Sequence, residues 1–248
     1  MAASSVIAVI PARYASTRLP AKALAEIDGV PMVVRVWQQT TRAATIDRTI
    51  VATDDERIAE VVRRAGGEAM MTAATHQSGT DRIAEVARGA SAAIYLNVQG
   101  DLPFLDPADL DALASPMRTE PSIAMATLGT PIVDQHEWTN PSVVKVVRGA
   151  QGNALYFSRA SIPYPRDTDA IPAVALRHIG VYAYRREFLL RFAALPQGVL
   201  ERIEKLEQLR ALENGYVIRV VPSVAPSLEI DTAEDLARAR AQASSARR

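Results

Sequence analysis

The chain has 248 residues, 48% of them apolar, which allows one large α/β domain, or a domain with an insertion, around a substantial core. Lys plus Arg and Asp plus Glu are equal at 28 each, and zero formal charge argues against a dedicated binder of nucleic acid or of a membrane surface. Cysteine is absent, which excludes disulfides, thiolate catalysis and cysteine zinc sites. No apolar run approaches the ~20 residues that span a bilayer. Val6–Ile10 is too short for a signal peptide and lacks a cationic flank, so a soluble cytoplasmic protein is expected. That run, Val6-Ile7-Ala8-Val9-Ile10, reads as a strand buried on both faces, as at the centre of a parallel sheet. A loop follows it, in which Arg13, Arg18 and Lys22 are spaced among small residues and two prolines. Loops leaving the carboxyl ends of central strands are where open α/β sheets bind ligands. Three cations with Ser16, Thr17 and backbone N–H groups suit a polyphosphate. There is neither a Gly-Lys-Ser/Thr nor a Gly-x-Gly-x-x-Gly pattern here, so this is not a Walker loop or a dinucleotide fingerprint.

The stretch Ile10-Pro11-Ala12-Arg13-Tyr14-Ala15-Ser16-Thr17-Arg18-Leu19-Pro20-Ala21-Lys22 closely resembles the opening of the CMP-Kdo synthetases. These 3-deoxy-manno-octulosonate cytidylyltransferases activate an acid sugar for lipopolysaccharide assembly. Sugar nucleotidyltransferases more broadly share such a loop, so the finer assignment rests on later stretches. The resemblance implies an α/β fold of the nucleotide-diphospho-sugar transferase type: a mostly parallel twisted sheet flanked by helices, with a small inserted antiparallel sheet.

Next along the chain, Asp28-Gly29 signals a turn, and Pro31 to Trp37 has apolar residues at helical spacing. Thr49 to Thr53 is a second buried strand. In the acidic cluster after it, Asp54 or Asp55 caps a helix through Ile58, Val61 and Val62 that ends near Gly66-Gly67; metal binding is the less economical reading. Strand and helix alternate, which implies right-handed parallel crossovers. Ser78, Thr80 or Asp81 would cap the helix through Ile83 and Val86, while Gly79 permits close approach of a ligand. The run His76-Gln77-Ser78-Gly79-Thr80-Asp81-Arg82 resembles the base-recognition segment of the same family, with His76 read as a loop residue.

Ile94 to Asp101 reads as a third buried strand ending in Gly100-Asp101, which places a carboxylate at the cleft mouth as a candidate Mg²⁺ ligand. The family pattern is similar to Asn97-Val98-Gln99-Gly100-Asp101 but usually continues Glu-Pro, where this chain has Leu102-Pro103. Asp106-Pro107 opens a helix, and Ile123 to Leu128 is a strand. Asn140 to Val147, a turn at Gly149 to Gly152, and Ala154 to Ser158 read as a hairpin that resembles the family's inserted dimerisation sheet. His178 to Tyr184 is a further strand, whose His178 is open between a core and a site role. Glu201 to Arg210 reads as one amphipathic helix ended by Asn214-Gly215, and Tyr216 to Val221 as the last strand. Leu228-Glu229-Ile230 reads as a strand whose tip carries Asp231, with helix capping by Asp231 or Thr232 as the alternative to a metal role.

By resemblance, the whole of 1–248 is one nucleotidyltransferase domain with a dimerisation insert roughly within 130–185. It would join CTP and Kdo to give CMP-Kdo and pyrophosphate with Mg²⁺. Pro11, Ala12, Arg13, Ser16, Thr17, Arg18, Lys22, Gln77, Ser78, Gly79, Arg82, Gln99 and Gly100 would meet the nucleotide. Arg159, His178, Tyr182, Glu207 and Gln208 would meet the sugar, and Asp101 and Asp231 would hold the metal. Arg18, Lys22, Asp101 and Asp231 would carry catalysis, and the functional unit would be a homodimer. Another sugar nucleotidyltransferase, for sialic acid or a Kdo analogue, and a regulatory protein that binds CTP without turnover are the alternatives.

Overall fold

The apolar run at the start becomes β1 (Val6–Ala12), which lies between two parallel neighbours, β4 (Arg48–Thr53) and β6 (Ile94–Asn97). Its side chains alternate between two cores: Val6, Ala8 and Ile10 pack on one face of the sheet, Ile7 and Val9 on the other. A strand covered on both sides needs apolar residues at every position, and this accounts for the unbroken run. The computed structural model describes residues 5–15, 19–225 and 227–245. Ser16, Thr17 and Arg18 of the phosphate-suited loop lie outside the described residues.

Beyond β4 comes β5 (Glu68–Met71), again parallel. On the other side, β10 (Leu176–Arg185) runs antiparallel to both β6 and β7 (Met125–Pro131), and β11 (Ile218–Pro222) pairs parallel to β7. The sheet order is β11-β7-β10-β6-β1-β4-β5. A hairpin of β8 (Lys145–Arg148) and β9 (Ala154–Ser158) joins it through β10, and the Gly152 N–H closes the turn onto the Gly149 carbonyl at 2.9 Å. This is the inserted antiparallel element expected from sequence. A separate pair, β2 (Glu26–Ile27) and β3 (Val30–Pro31), turns at Asp28 and Gly29, both with positive φ, as a two-residue hairpin loop requires.

The helices α1 (Met32–Thr40) and α4 (Pro107–Thr119) put Val33 and Leu110 into the first core, whereas α3 (Gly79–Gly89) and α6 (Arg186–Ala194) put Ile83 and Phe188 into the second. Asp55 caps α2 (Glu56–Arg64), accepting from the Arg57 N–H at 3.0 Å. Ser78 caps α3 in a reciprocal box with Asp81.

Four expectations are corrected. The strand before Asp101 stops at Asn97, and Val98 to Asp101 form a turn. The first hairpin strand starts only at Lys145, because the chain from Asn140 is a loop after the short α5 (Gln135–Thr139). The single helix over 201–210 is two: α7 (Val199–Glu204) and α8 (Leu209–Glu213), broken where Lys205 takes a left-handed φ of 55°. Nine residues apart on an unbroken helix, Glu201 and Arg210 would face opposite ways. The break lets them form a buried two-point ion pair at 2.6 and 2.8 Å. Finally, Leu228 to Ile230 is not a strand, since both edges of β6 are already taken by β1 and β10.

Candidate active site

Three loops converge beyond the carboxyl ends of β1 and β6 and at the start of α3. Pro11 is their meeting point: a Cβ on Gly79 would lie 3.2 Å from Pro11 Cγ, and one on Gly100 3.2 Å from the Pro11 carbonyl oxygen. Both glycines are thus needed for close packing of the loops, not for ligand approach alone. The cavity they frame measures about 360 Å³ and is lined by Pro11, Ala12, Arg13, Lys22, Ala23, His76, Gln77, Ser78, Gly79, Arg82, Gln99, Gly100, Asp101, Glu229 and Asp231. Every described residue expected to meet the nucleotide is among them.

Local contacts fix this wall. Arg82 is buried, bonded to Thr72 and paired with Asp54 at 3.2 Å, so Asp54 has a structural partner that capping had hidden. His76 bonds Glu85, whose carboxyl is held below its ordinary range by the Ala73 N–H first and by His76 next. The Arg57 guanidinium lies 3.4 Å over the Tyr14 ring and fastens the loop after β1 to α2.

Asp101 and Asp231, distant in sequence, meet in this cavity across Lys22. The Lys22 ammonium donates to Asp101 Oδ2 at 2.8 Å and to Asp231 Oδ1 at 3.0 Å. Burial works against the lysine charge, yet the two carboxylates outweigh it and hold its pKa above the ordinary value. The second Asp101 oxygen, Oδ1, is buried with no hydrogen-bond partner among the described residues. A main-chain bond, Ile230 N–H to the Asp101 carbonyl at 3.0 Å, ties the two acidic segments together. At the start of α9 (Ala233–Ser245) the Thr232 hydroxyl accepts from the Asp235 N–H at 3.2 Å, as a capping residue does. Glu229, which the sequence reading passed over, brings a third carboxylate: oxygens of Asp101, Glu229 and Asp231 all lie within 4.8 Å of one another. Loss of water around its carboxyl, then repulsion from Asp101 and Asp231, push Glu229 up to about 7.

None of the residues expected at the sugar lines this cavity. His178 and Tyr182 are 5.4 Å apart between ring centres, and Phe157 meets His178 edge-on at 5.1 Å. Thr127, also missed from sequence, orients the imidazole. Its hydroxyl donates to the Val181 carbonyl at 2.8 Å, so His178 Nε2, 2.9 Å away, must donate to it and Nδ1 is left to accept. Burial, with Arg177 adding to it, pushes His178 down to about 3, so the ring is neutral at ordinary pH. Glu207 bonds the Thr80 hydroxyl and is raised by burial; burial, then Glu207 and Glu229, raise Tyr182. Gln208 is buried, and its Nε2 has no partner among the described residues. Arg159 is braced on main-chain carbonyls, that of Glu204 at 2.7 Å and that of Pro141 at 3.0 Å.

A mostly parallel α/β sheet with a cation-bearing loop after its central strand and paired carboxylates facing that loop is the build of a nucleotidyltransferase. The chain belongs to the cytidylyltransferase family: a family model described as Cytidylyltransferase matches residues 7–221. A 3-deoxy-manno-octulosonate cytidylyltransferase of Syntrophotalea carbinolica is 54% identical over 244 residues, covering 96% of this chain and 98% of the relative. The solved structure of a CMP:2-keto-3-deoxy-manno-octonic acid synthetase complexed with CTP superposes with a TM-score of 0.93 at 43% identity, over 98% of this chain and 100% of that one. A 4-diphosphocytidyl-2C-methyl-D-erythritol synthase of Anaerococcus prevotii shares the fold at 14% identity and a TM-score of 0.66, over 98% and 99% of the two chains.

Proposed function

We propose that the protein transfers CMP from CTP to 3-deoxy-D-manno-octulosonate (Kdo), releasing pyrophosphate and supplying CMP-Kdo for lipopolysaccharide biosynthesis. One observation carries the reading. In a chain similar to Kdo cytidylyltransferases over nearly its whole length, every described residue expected at the nucleotide lines a single cavity, with Lys22, Asp101 and Asp231 joined inside it.

The anomeric hydroxyl oxygen of the sugar attacks the α-phosphorus of CTP. The new bond joins sugar oxygen to phosphorus, the bond from that phosphorus to the oxygen bridging the β-phosphate breaks so that pyrophosphate leaves, and the hydroxyl proton passes to water. No covalent enzyme intermediate is required, which suits a chain without cysteine. Alignment of the reactants and neutralisation of triphosphate charge supply the catalysis. Arg13, Arg18 and Lys22 are the cations for the triphosphate, and Gln77 to Gly79, Arg82, Gln99 and Gly100 take the nucleotide. Asp101 and Asp231 fit Mg²⁺, since hard carboxylate oxygens are its ligands and the buried Asp101 Oδ1 has no other partner among the described residues. When bound, Mg²⁺ withdraws charge from the phosphates. Arg159 meets the sugar carboxylate, while His178 Nδ1, Tyr182, Glu207 and Gln208 meet its hydroxyls.

The proposal further takes 1–248 as one domain that works as a cytoplasmic homodimer through the inserted sheet. Leu155 and Val174, each 66% exposed beside that sheet, support this. Among the described residues no helix is long and apolar enough to cross a membrane. Pyrophosphate release on mixing the protein with CTP, Mg²⁺ and single sugars tests the reaction. Release with Kdo is expected. Release only with sialic acid or another acid sugar moves the protein within its family, and CTP binding with no release makes it a regulator. Sedimentation tests the dimer.

A further inference from the structure

We infer that Glu229 is a third protein ligand of the divalent cation, beside Asp101 and Asp231. The inference rests on the proposed Mg²⁺ site and goes beyond it. Glu229 and Asp231 flank Ile230, which is 0% exposed and packs into a core of Ile27, Met32 and Leu236. Burying the middle residue turns the two acidic neighbours to the cavity, where both line the wall. The Ile230 N–H bond to the Asp101 carbonyl at 3.0 Å then sets this pair against Asp101.

Lys22 bonds Asp101 and Asp231 and leaves Glu229 out. No hydrogen bond or ion pair reaches the Glu229 carboxylate among the described residues, and Asp101 Oδ1 is buried without a partner among them. The acidic cluster thus holds two acceptors, Asp101 Oδ1 and the Glu229 carboxylate, that no donor among the described residues bonds. Mg²⁺ and Mn²⁺ hold oxygens at about 2.1 Å, so ligands on opposite sides of the ion are roughly 4.2 Å apart. The 4.8 Å that bounds the three oxygens needs only a small closing movement. Glu229 lines the cavity wall with its carboxyl shielded from water and the rest of the residue partly exposed, and Glu229→Gln, which keeps its size, is expected to leave the fold intact.

The test is Mn²⁺ binding to the whole protein without nucleotide, followed by electron paramagnetic resonance of the free ion. Glu229→Gln is expected to weaken Mn²⁺ binding about tenfold or more, and Asp231→Asn to weaken it further. Parent-like binding by Glu229→Gln beside a loss in Asp231→Asn overturns the inference and leaves the two-aspartate site standing. Mn²⁺ binding unchanged in all the variants, or absent in the parent, overturns both. A mere neighbouring charge is separated from a ligand by Glu229→Cys, the only thiol in the chain. Soft thiolate selects soft metal, so this variant is expected to lose Mn²⁺ and gain Cd²⁺, with thiolate-to-Cd²⁺ absorption in the ultraviolet. Cd²⁺ binding equal to the parent's, without that absorption, overturns the ligand role.

Discussion

The proposed nucleotide half of the site and the proposed sugar half are built on opposite plans. Around the nucleotide cavity, Pro11, Gly79 and Gly100 hold three loops in van der Waals contact. The charged side chains there project from a frame made of backbone. In the sugar half, Glu207, Gln208, His178 and Tyr182 are themselves packed into the protein, and the residues that orient them are buried too. Apart from the buried Arg82, the first half keeps scaffold and chemistry apart, so the charges of Lys22, Asp101 and Asp231 are expected to be alterable without disturbing the fold. In the second they are the same residues, and altering one moves both activity and stability.

The sharpest way to break this contrast lies under the sugar half. Arg210→Met strands the buried Glu201 carboxylate and should cost about 3–5 kcal/mol of stability by urea unfolding. Replacing both, as Glu201→Leu with Arg210→Met, should recover most of that loss. A single variant as stable as the parent would show that the pair does not support this half.

On the nucleotide side, Asp101→Asn and Asp231→Asn should each lower turnover about 10²–10³-fold, the scale of removing a group that neutralises transition-state charge. Their melting temperatures should stay close to the parent's. Early melting with near-normal pyrophosphate release from Asp231→Asn would reverse the contrast. Lys22→Ala comes next: a charge-assisted bond to an ionic group contributes ~1.5–3 kcal/mol, or roughly 10–150-fold in kcat/KM for CTP. Near-normal kinetics at limiting CTP would remove the lysine from the triphosphate.

A further test is a pH slope. The folded His178 titrates at about 3, below its ordinary 6.5. As pH falls below about 6.5, the unfolded chain takes up a proton that the folded chain refuses. The neutral ring therefore contributes stability above that pH, and this contribution drains away as pH falls toward 3. His178→Gln should show a flatter loss of unfolding free energy between pH 7 and pH 4. Equal slopes for parent and variant would mean that the imidazole is not held neutral.

What could be read from the sequence follows the same division. Val6–Ile10, the loop to Lys22 and the Ser78 cap each lie within a short stretch, where periodicity and turn chemistry act locally. The gathering of these stretches around one cavity was legible for that reason. Thr127, Glu229 and the Glu201–Arg210 pair depend on contacts between distant segments, and a hydroxyl or carboxylate in isolation carries no sign of them. The break at Lys205 was hidden because Ile203, Leu206, Leu209 and Leu212 keep helical spacing across it; Ile203 is in fact 72% exposed. The segment before Asp231 misled in another way. Leu228 and Ile230 are apolar because they pack under the cavity, not because they extend the sheet.

The tie between Ile230 and Asp101 uses only main-chain atoms, an N–H on one segment and a carbonyl on the other. Side chains at 101, 229 and 231 can therefore be exchanged by mutation while the distance between their backbones is preserved. Only proline at 230, which lacks the N–H, would cut the link directly. Such a frame lets descendants of this chain sample new ligand sets one substitution at a time, without first rebuilding the place where those ligands meet.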